Sequence, residues 1–444
     1  MAGGSRLSDN AKLVELAEIF LACATDAVIP TEEEMSAVFS AGLGWTAHGA
    51  LTFKHTAPVT NALSDLVELV SRKLGPRAAH EDELRRACWG LASAWLSQEE
   101  PNEVPSAARR MLADIEAIGE VTADLVLPNF TFRRDPGVHS VHIGPVEILD
   151  AEIAKRRVDA LDNEHIRFVI NGGRGVSWRD GATEASFPNT CWWVKVTAAR
   201  RNVRDEGTWL VDVAIALARF LHRPWAGLAP GHKDREPAPF EPTPRDLPGV
   251  FFVGDTVMTG DFTAPRYYGL DAAAVASLES DEAKAKAAAI FEPIKDSVGG
   301  RIALALGWLT RARRAGDRSE ALLFYFTALE ALLSPGKGEP IAQTIARQVA
   351  VMRSDKPAAR YRTSELVLEL YGLRSNLVHQ GERAVLALDV RRMSALTDFV
   401  LWRLIHEVDL SAKATLLLTS LRAASFGDPW SPPTPNPAPS ALQT

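Results

Sequence analysis

Apolar residues recur every three or four positions through most of the first 125 residues. The segments with this spacing are "NAKLVELAEIFLACA", "VTNALSDLVELVSRKLG", "EDELRRACWGLASAWLS" and "SAARRMLADIEAIGEVTADLVL". Such spacing places the apolar side chains on one face of a helix. The pattern therefore predicts a helical N-terminal region over residues 1–125, with the leucine, valine and tryptophan positions forming its core.

The pattern changes between residues 126 and 290. "HIRFVING" and "TCWWVKVTA" are rich in β-branched and aromatic residues, which predicts strands. "TWLVDVAIALARFLH" predicts a helix, "GVFFVGDTVMTG" predicts a further strand, and the proline-rich "GHKDREPAPFEPTPRDLPG" predicts a loop. We interpret residues 126–290 as a mixed α/β region and a candidate sensor or regulatory domain.

Helical spacing returns over residues 291–412. The segments are "FEPIKDSVGGRIALALGWLTRARRAG", "DRSEALLFYFTALEALLS", "EPIAQTIARQVAVMRS", "ARYRTSELVLELYGLRSNLVHQG" and "ERAVLALDVRRMSALTDFVLWRLIHEV". The short connections contain Gly316, Pro335, Gly338 and Gly381, which favours an antiparallel bundle. Residues 413–444 predict a short helix followed by the disordered, proline-rich tail "DPWSPPTPNPAPSALQT". The predicted fold class is α+β, mostly helical.

Composition narrows the functional classes. Of the 444 residues, 46% are hydrophobic and 24% are charged, which is typical of a globular protein. The net charge of −7 excludes a generally basic nucleic-acid coat. Contact with a nucleic acid would need a local patch. The arginines at 311, 313, 314 and 318 are one candidate, although a solvated helix end also explains them.

No apolar run approaches the roughly 20 residues that span a bilayer, and "MAGGSRLSDNAKLVELAEIF" lacks the core of a signal peptide. We therefore expect no membrane association and a cytoplasmic location. Cys23, Cys88 and Cys191 are too scattered to form a disulfide framework or a zinc site. His139 and His142 lack a third ligand nearby, so we expect no metal and no cofactor.

The segment "LYGLRSNLVHQGER", residues 370–383, carries an arginine inside an apolar stripe. On a helical wheel Arg374 falls within the sector of Leu370, Leu373 and Leu377. A guanidinium there is costly unless it is paired or faces a cleft. Glu330 is the single acid of "ALLFYFTALEALL", so a structural Glu330–Arg374 ion pair inside the bundle is one explanation.

His379 lies about 140° around the helix and about 7.5 Å along it from Arg374, so the two residues do not share a face. A histidine in the last turn before Gly381 is explained by its interaction with the helix dipole alone. The spacing between Arg374 and His379 is not by itself evidence of a site. Arg134 and His139 have the same spacing in "RDPGVH", where Pro-Gly predicts a turn. A site that uses both residues would need two copies of the helix end to meet.

The segment "LYGLRSNLVHQGE", preceded by "LLFYFTALEALL" and "IARQVAVMRS", resembles the HEPN domain and closely its ApeA-like branch. The resemblance covers residues 291 to about 410. The chain departs from the family motif at Gln380, where a glycine is usual and follows one residue later as Gly381. The positions that match the motif are Tyr371, Arg374, Ser375, Leu377, Val378 and His379.

This resemblance implies a metal-independent endoribonuclease that acts on RNA as a homodimer. Arg374 and His379 of two copies would form a composite catalytic site, with Glu330 and Ser375 in support. An arginine fork suits the charge that builds on an attacked phosphodiester. An imidazole can take the proton of a ribose 2′-OH or protonate the leaving 5′-oxygen. The expected product ends are a 2′,3′-cyclic phosphate and a 5′-OH.

The resemblance also implies antiphage defence or a toxin-like effector, with a phage-derived trigger or a regulatory partner acting on residues 1–290. Two alternatives remain open. In the first, the C-terminal domain would be a non-catalytic HEPN module that binds RNA, a nucleotide or a partner protein. In the second, it would be a purely structural dimerisation domain. The presence of both Arg374 and His379 favours the nuclease.

Overall fold

A computed structural model describes most of the chain, and its contacts divide the chain into two compact units. One unit contains residues 3–125 and 195–207, and the other contains residues 126–194 and 208–444. Apart from a few single positions, the described residues are 7–29, 44–48, 51–75, 80–98, 103–119, 121–161, 166–170, 175–179, 182–199, 202–226, 250–253, 256–259, 268–334, 340–381 and 384–433.

The first unit is helical, as its pattern predicts. Its helices are α1 (Ala11–Ala27), α2 (Ala57–Leu74), α3 (Glu81–Leu96) and α4 (Val104–Gly119), and a hairpin joins β1 (Trp45–His48) to β2 (Leu51–Lys54). Phe20, Leu66, Trp89 and Leu112 are buried in one core, where the Phe20 and Trp89 rings meet edge-on with centroids 5.3 Å apart. The hairpin was not predicted.

The segment "VTADLVL" is a strand, β3 (Val121–Pro128), and not the end of the preceding helix as its apolar spacing predicted. Helix α4 ends at Gly119, and the residues that follow include the β-branched Val121, Thr122 and Val126. Branching at Cβ restricts side-chain rotamers in a helix and suits a pleated strand. Local propensity therefore outweighs the spacing at this position.

Five strands follow in close succession. They are β4 (Phe132–Arg134), β5 (Ser140–Ile143), β6 (Val146–Asp150), β7 (Ile166–Ile170) and β8 (Gly175–Arg179), and helix α5 (Ala151–Asp159) lies between β6 and β7. Two further strands are β9 (Ala182–Phe187) and β10 (Thr190–Ala198). One sheet has the order β3–β10–β6–β5, and another has the order β7–β9–β8. The strands predicted in "HIRFVING" and "TCWWVKVTA" are confirmed as β7 and β10.

"GVFFVGDTVMTG" forms two strands, β11 (Val250–Val253) and β12 (Thr256–Thr259), which pair as an antiparallel hairpin and not as the single strand expected. The proline-rich loop before it lies outside the described residues. The helix predicted at "TWLVDVAIALARFLH" is confirmed within α6 (Val203–Leu221). The short helix α7 (Arg223–Ala226) follows it, and β13 (Tyr268–Leu270) pairs in parallel with β4.

The described remainder of the second unit is mostly helical. Its helices are α8 (Ala272–Leu278), α9 (Asp281–Phe291), α10 (Val298–Arg314), α11 (Arg318–Leu333), α12 (Ile341–Arg353), α13 (Pro357–Gln380), α14 (Ala387–Glu407) and α15 (Ala414–Ala424). Connections of three residues link α10 to α11 and α12 to α13, and the helices of each pair contact each other along their length. Such short links produce antiparallel neighbours.

A buried carboxylate joins α6 to α10. The side chain of Asp212 is fully buried, and its Oδ2 accepts hydrogen bonds from Arg314 Nη2 at 3.0 Å and from Arg311 Nε at 3.3 Å. Thr310 Oγ1 donates to the Asp212 backbone oxygen at 2.6 Å. Burial raises the pKa of Asp212, and the two guanidinium groups oppose that shift. The ion pairs therefore hold the two helices together at one point.

Close packing surrounds this ion-pair cluster. A side chain at Gly307 would place a Cβ 2.4 Å from the Trp209 ring, so only glycine allows α6 and α10 to approach this closely. The Arg311 guanidinium lies 4.8 Å from the Trp209 ring centroid and 5.3 Å from that of Trp308. These are cation–π distances. The contact between α6 and α10 is thus both charged and aromatic.

The first residues of the C-terminal tail are packed. Trp430 is only 8% exposed, its Nε1 donates to Ser420 Oγ at 3.2 Å, and Arg403 lies over its ring. The Asp409 N–H donates to the Pro433 oxygen at 2.8 Å. The predicted disorder therefore does not hold for residues 428–433, because an aromatic side chain anchors them. Residues 434–444 lie outside the described chain.

The described chain is α+β and mostly helical, with small sheets. Within the described residues, every helix is either too short or too polar to cross a membrane.

Replacing Asp212 should be the most damaging single change at the α6–α10 contact. We expect Asp212→Ala to lower the free energy of unfolding by about 3–5 kcal/mol, because it leaves two arginines without their carboxylate. Urea denaturation followed by circular dichroism measures this loss. The control Arg318→Ala removes an exposed cation from the same arginine-rich stretch and should change stability by less than about 0.5 kcal/mol. Equal effects of the two substitutions would contradict the structural role of Asp212.

Candidate functional site

Arg374 continues the buried face of α13. Val367 and Leu370 on this helix are fully buried, and Arg374 lies seven residues after Val367. Seven residues bring the helix round to within about 20° of the same direction. The aliphatic part of the Arg374 side chain therefore points towards the bundle core, while its charged end has to find a partner there.

The partner of Arg374 is Glu330 on α11, as the sequence predicted. Arg374 Nη2 lies 3.4 Å from Glu330 Oε1, and the Tyr371 hydroxyl donates to the same oxygen over a long 3.5 Å. The Arg374 guanidinium carbon is 5.4 Å from the centroid of the Tyr371 ring, which itself meets Phe326 edge-on. A carboxylate and an aromatic face thus hold the guanidinium on two sides.

The pair is only partly buried, which corrects the expectation that it lies inside the bundle. The side chains of Arg374 and Glu330 are 21% and 24% exposed. Burial raises the pKa of Tyr371; the Arg374 charge opposes this shift and Glu330 adds to it. Tyr371 is therefore a neutral hydrogen-bond donor at physiological pH. The Arg374 Nε is buried and has no hydrogen-bond partner among the described residues.

His379 lies at the exposed end of the same helix. Gly381 adopts a left-handed conformation at φ 70°, and its N–H donates to the oxygens of Asn376 and Leu377, which ends α13. Within the described residues, neither the exposed His379 nor the half-buried Ser375 makes a side-chain hydrogen bond. In a single chain the fold therefore brings Glu330 to Arg374 but leaves the imidazole about 140° away around the helix.

An apolar strip accompanies His379. Leu373 and Leu377 are half-buried, and Val378 is 49% exposed. Leu373 and Leu377 belong to the apolar stripe that the sequence predicted on this helix. The structure buries that stripe at Leu370 and leaves it only half-buried at Leu373 and Leu377.

The predicted basic patch at the end of α10 points inward. Arg311 and Arg314 bind Asp212, and Arg313 is 2% exposed with its Nη1 3.3 Å from Asp398 Oδ2. Neither a solvated helix end nor an RNA-binding patch describes these three arginines. Only Arg318 of the four is exposed.

One site residue had a role that the sequence reasoning overlooked. Tyr371 was predicted to match a motif but not to contact a charged residue, yet it contacts both Glu330 and Arg374. Its position three residues before Arg374 was the available signal, because residues three apart are neighbours on a helix surface.

His142 of "VHSVH" lies beside two carboxylates. His142 Nδ1 lies 3.3 Å from Glu279 Oε1, and His142 Nε2 lies 3.5 Å from Glu147 Oε1. In the part of the chain that the structure describes, His, Cys, Asp and Glu side chains form no group of three that could hold a metal ion.

No protein-family model, no curated protein and no solved structure matches this chain. The residues of the site and their geometry are therefore what indicates a function.

The ion pair between Glu330 and Arg374 should stabilise the bundle moderately. We expect Glu330→Gln to lower the free energy of unfolding by about 1–2 kcal/mol, between the values typical of exposed and of buried pairs. The matched control is Glu365→Gln, an exposed acid on α13, which should change stability by less than about 0.5 kcal/mol. Chemical denaturation of the two variants beside the parent tests this. Equal midpoints for both variants would show that the pair contributes nothing.

Proposed function

We propose that this protein is a metal-independent endoribonuclease of the HEPN class that acts in the cytoplasm as an antiphage or toxin-like effector. One observation carries the proposal. Glu330 and Tyr371 hold a half-buried arginine near the end of α13, and five residues later the same helix end presents an exposed imidazole without a partner in the described chain. A cation and a proton-transfer group at one helix end suit cleavage of a phosphodiester.

The two side chains supply complementary chemistry. The guanidinium of Arg374 stabilises the negative charge that develops on the non-bridging phosphate oxygens during attack. The imidazole of His379 takes the proton from the ribose 2′-OH or donates one to the leaving 5′-oxygen. The P–O bond to the 5′-oxygen breaks as the bond to the 2′-oxygen forms. The products are a 2′,3′-cyclic phosphate and a 5′-OH, and DNA is not a substrate because it lacks the nucleophile.

The directions of the two side chains support a site built from two copies. Within one chain Arg374 and His379 are about 140° apart around the helix and about 7.5 Å apart along its axis. If two helix ends pack against each other, the arginine of one copy can face the histidine of the other. The strip of Leu373, Leu377 and Val378 is the apolar surface that such packing would cover.

The residues before the bundle would then regulate the nuclease. They form a helical unit and a mixed α/β region, which together far exceed what two catalytic side chains need for support. We propose that they restrain the nuclease until a phage-derived trigger or a regulatory partner binds.

Association should depend on the apolar strip. We expect Val378→Asp to convert a dimer into a monomer, because it buries a charge in the contact between the two α13 ends. Light scattering coupled to gel filtration measures the mass. Leu161→Asp is the control, since Leu161 is an exposed leucine in the turn after α5, 70% accessible, and its replacement should leave the mass of a dimer. A parent protein that is monomeric while it cuts RNA would overturn the composite site.

Cleavage should depend on His379. We expect His379→Ala to lower the rate of RNA cleavage by about 10²- to 10⁴-fold, because positioned proton transfer contributes that much. The assay incubates the full chain with total RNA in EDTA and identifies the product ends. Folding and dimerisation should survive, since an exposed dipole contact contributes about 0.3–1 kcal/mol.

Two controls make this assay decisive. Gln380→Ala changes the neighbouring exposed residue and should keep full activity. An RNA with a single 2′-deoxy nucleotide at the cleaved position should resist the parent enzyme. If His379→Ala folds, dimerises and still cleaves RNA like the parent, the segment is structural and the nuclease proposal fails.

A further inference from the structure

Helices α12 and α15 line a cleft of about 400 Å³. Thr344, Arg347 and Gln348 contribute from α12, at spacings that share one helix face. Helix α15 faces them with a similar stripe, which consists of Thr415, Leu418, Thr419 and Arg422. Pro340, Ser425 and Phe426 complete the lining. None of these residues belongs to the group formed by Glu330, Tyr371 and Arg374.

The lining of the cleft is cationic. Its described residues include Arg347 and Arg422 and no acidic residue, although the whole chain carries a net charge of −7. Arg347 is exposed, and its Nε donates to the backbone oxygen of Gln343 at 3.2 Å. Among the described residues no carboxylate pairs with Arg347, whereas Arg314 and Arg374 each have one. The cleft therefore presents a guanidinium that is available to an anion.

A buried amide in the same lining lacks a partner. Gln348 is only 4% exposed, and its Oε1 makes no hydrogen bond within the described chain. Buried polar side chains are almost always hydrogen-bonded, so an unpaired one needs an explanation. A hydroxyl group of a ligand in the cleft would supply the missing donor after a small rotation of the side-chain amide.

Two further features suit a phosphorylated ligand. Pro340 is the N-cap residue of α12 and its side chain makes no capping hydrogen bond, and the partial positive charge of a helix N-terminus attracts anions. Phe426 follows the C-terminal end of α15. It is 80% exposed and offers a ring on which a planar group can stack. The cleft volume lies within the range of small-molecule sites and is too small for a folded macromolecule.

We propose that the cleft between α12 and α15 binds a small phosphorylated ligand of nucleotide size. Arg347 holds the phosphate, because an arginine fork donates two parallel hydrogen bonds to phosphate oxygens, and Arg422 adds positive charge to the same lining. The hydroxyl-bearing part of the ligand bonds to Gln348, and the planar part lies against Phe426. This site does not depend on nuclease activity at Arg374 and His379.

Isothermal titration calorimetry on the full chain tests the proposal with AMP, GMP, adenosine and inorganic phosphate. At least one of the two nucleotides should bind more tightly than phosphate, and adenosine should not bind. Arg347→Ala should weaken nucleotide binding about tenfold or more, since it removes a charge-assisted contact. Arg353→Ala is the matched control, because Arg353 is exposed on the same helix but outside the cleft, and it should bind like the parent.

A second variant separates the two parts of the ligand. Gln348→Met keeps the volume of the buried side chain but removes its amide, so it should weaken binding of the nucleotide and leave binding of inorganic phosphate unchanged. Absence of binding by both AMP and GMP at millimolar concentration would overturn the proposal. Equal losses in Arg347→Ala and Arg353→Ala would do the same. A ten-nucleotide RNA that binds through Arg347 more tightly than either nucleotide would show instead that the cleft is part of an RNA path.

Discussion

The buried carboxylate of Asp212 is the interaction on which the second unit depends. Three of the last four residues of α10 are arginines. Burying so many positive charges is costly unless carboxylates pair with them. Asp212 meets two of these arginines, and Asp398 meets the third. Because Gly307 lets α6 approach α10 closely, the carboxylate reaches the arginines directly. The charges thus fix how α10 lies against α6.

The position of α10 in turn determines that of the candidate site. Arg301, near the start of α10, donates from Nη1 to the backbone oxygens of Leu332 and Ser334 at 3.1 and 3.2 Å. These oxygens belong to the end of α11, where Glu330 lies in the final turn. Glu330 then holds Arg374 on α13. Arginine contacts therefore link α6, α10, α11 and α13 in turn. Through these contacts the helices position the guanidinium of Arg374.

Sequence reasoning found one of these charged contacts and missed the other. The Glu330–Arg374 pair was predictable because each residue interrupts an apolar helix face, and an isolated charge there requires a partner. Asp212 is a similar interruption in "LVDVAIALARFL", but the arginines of α10 were interpreted as one exposed run. Asp212 lies about a hundred residues before Arg311 and Arg314 in the sequence. The helical period of α10 does not show which other helix packs against its arginines. The strand at Val121 was missed because short apolar runs fit both the helical and the extended period.

The exposure of the cations distinguishes structural arginines from candidate functional ones. Arg313 is almost completely buried, which is the environment of a structural ion pair. Arg374 is partly exposed and has a neutral tyrosine beside it. Arg347 has only a backbone oxygen of its own helix as a partner in the described chain. Ligand anions compete with protein carboxylates for arginine, so the incompletely paired cations are where an anion gains most by binding. Arg374 and Arg347 lie on α13 and α12, away from the ion pairs that hold α6 and α10 together.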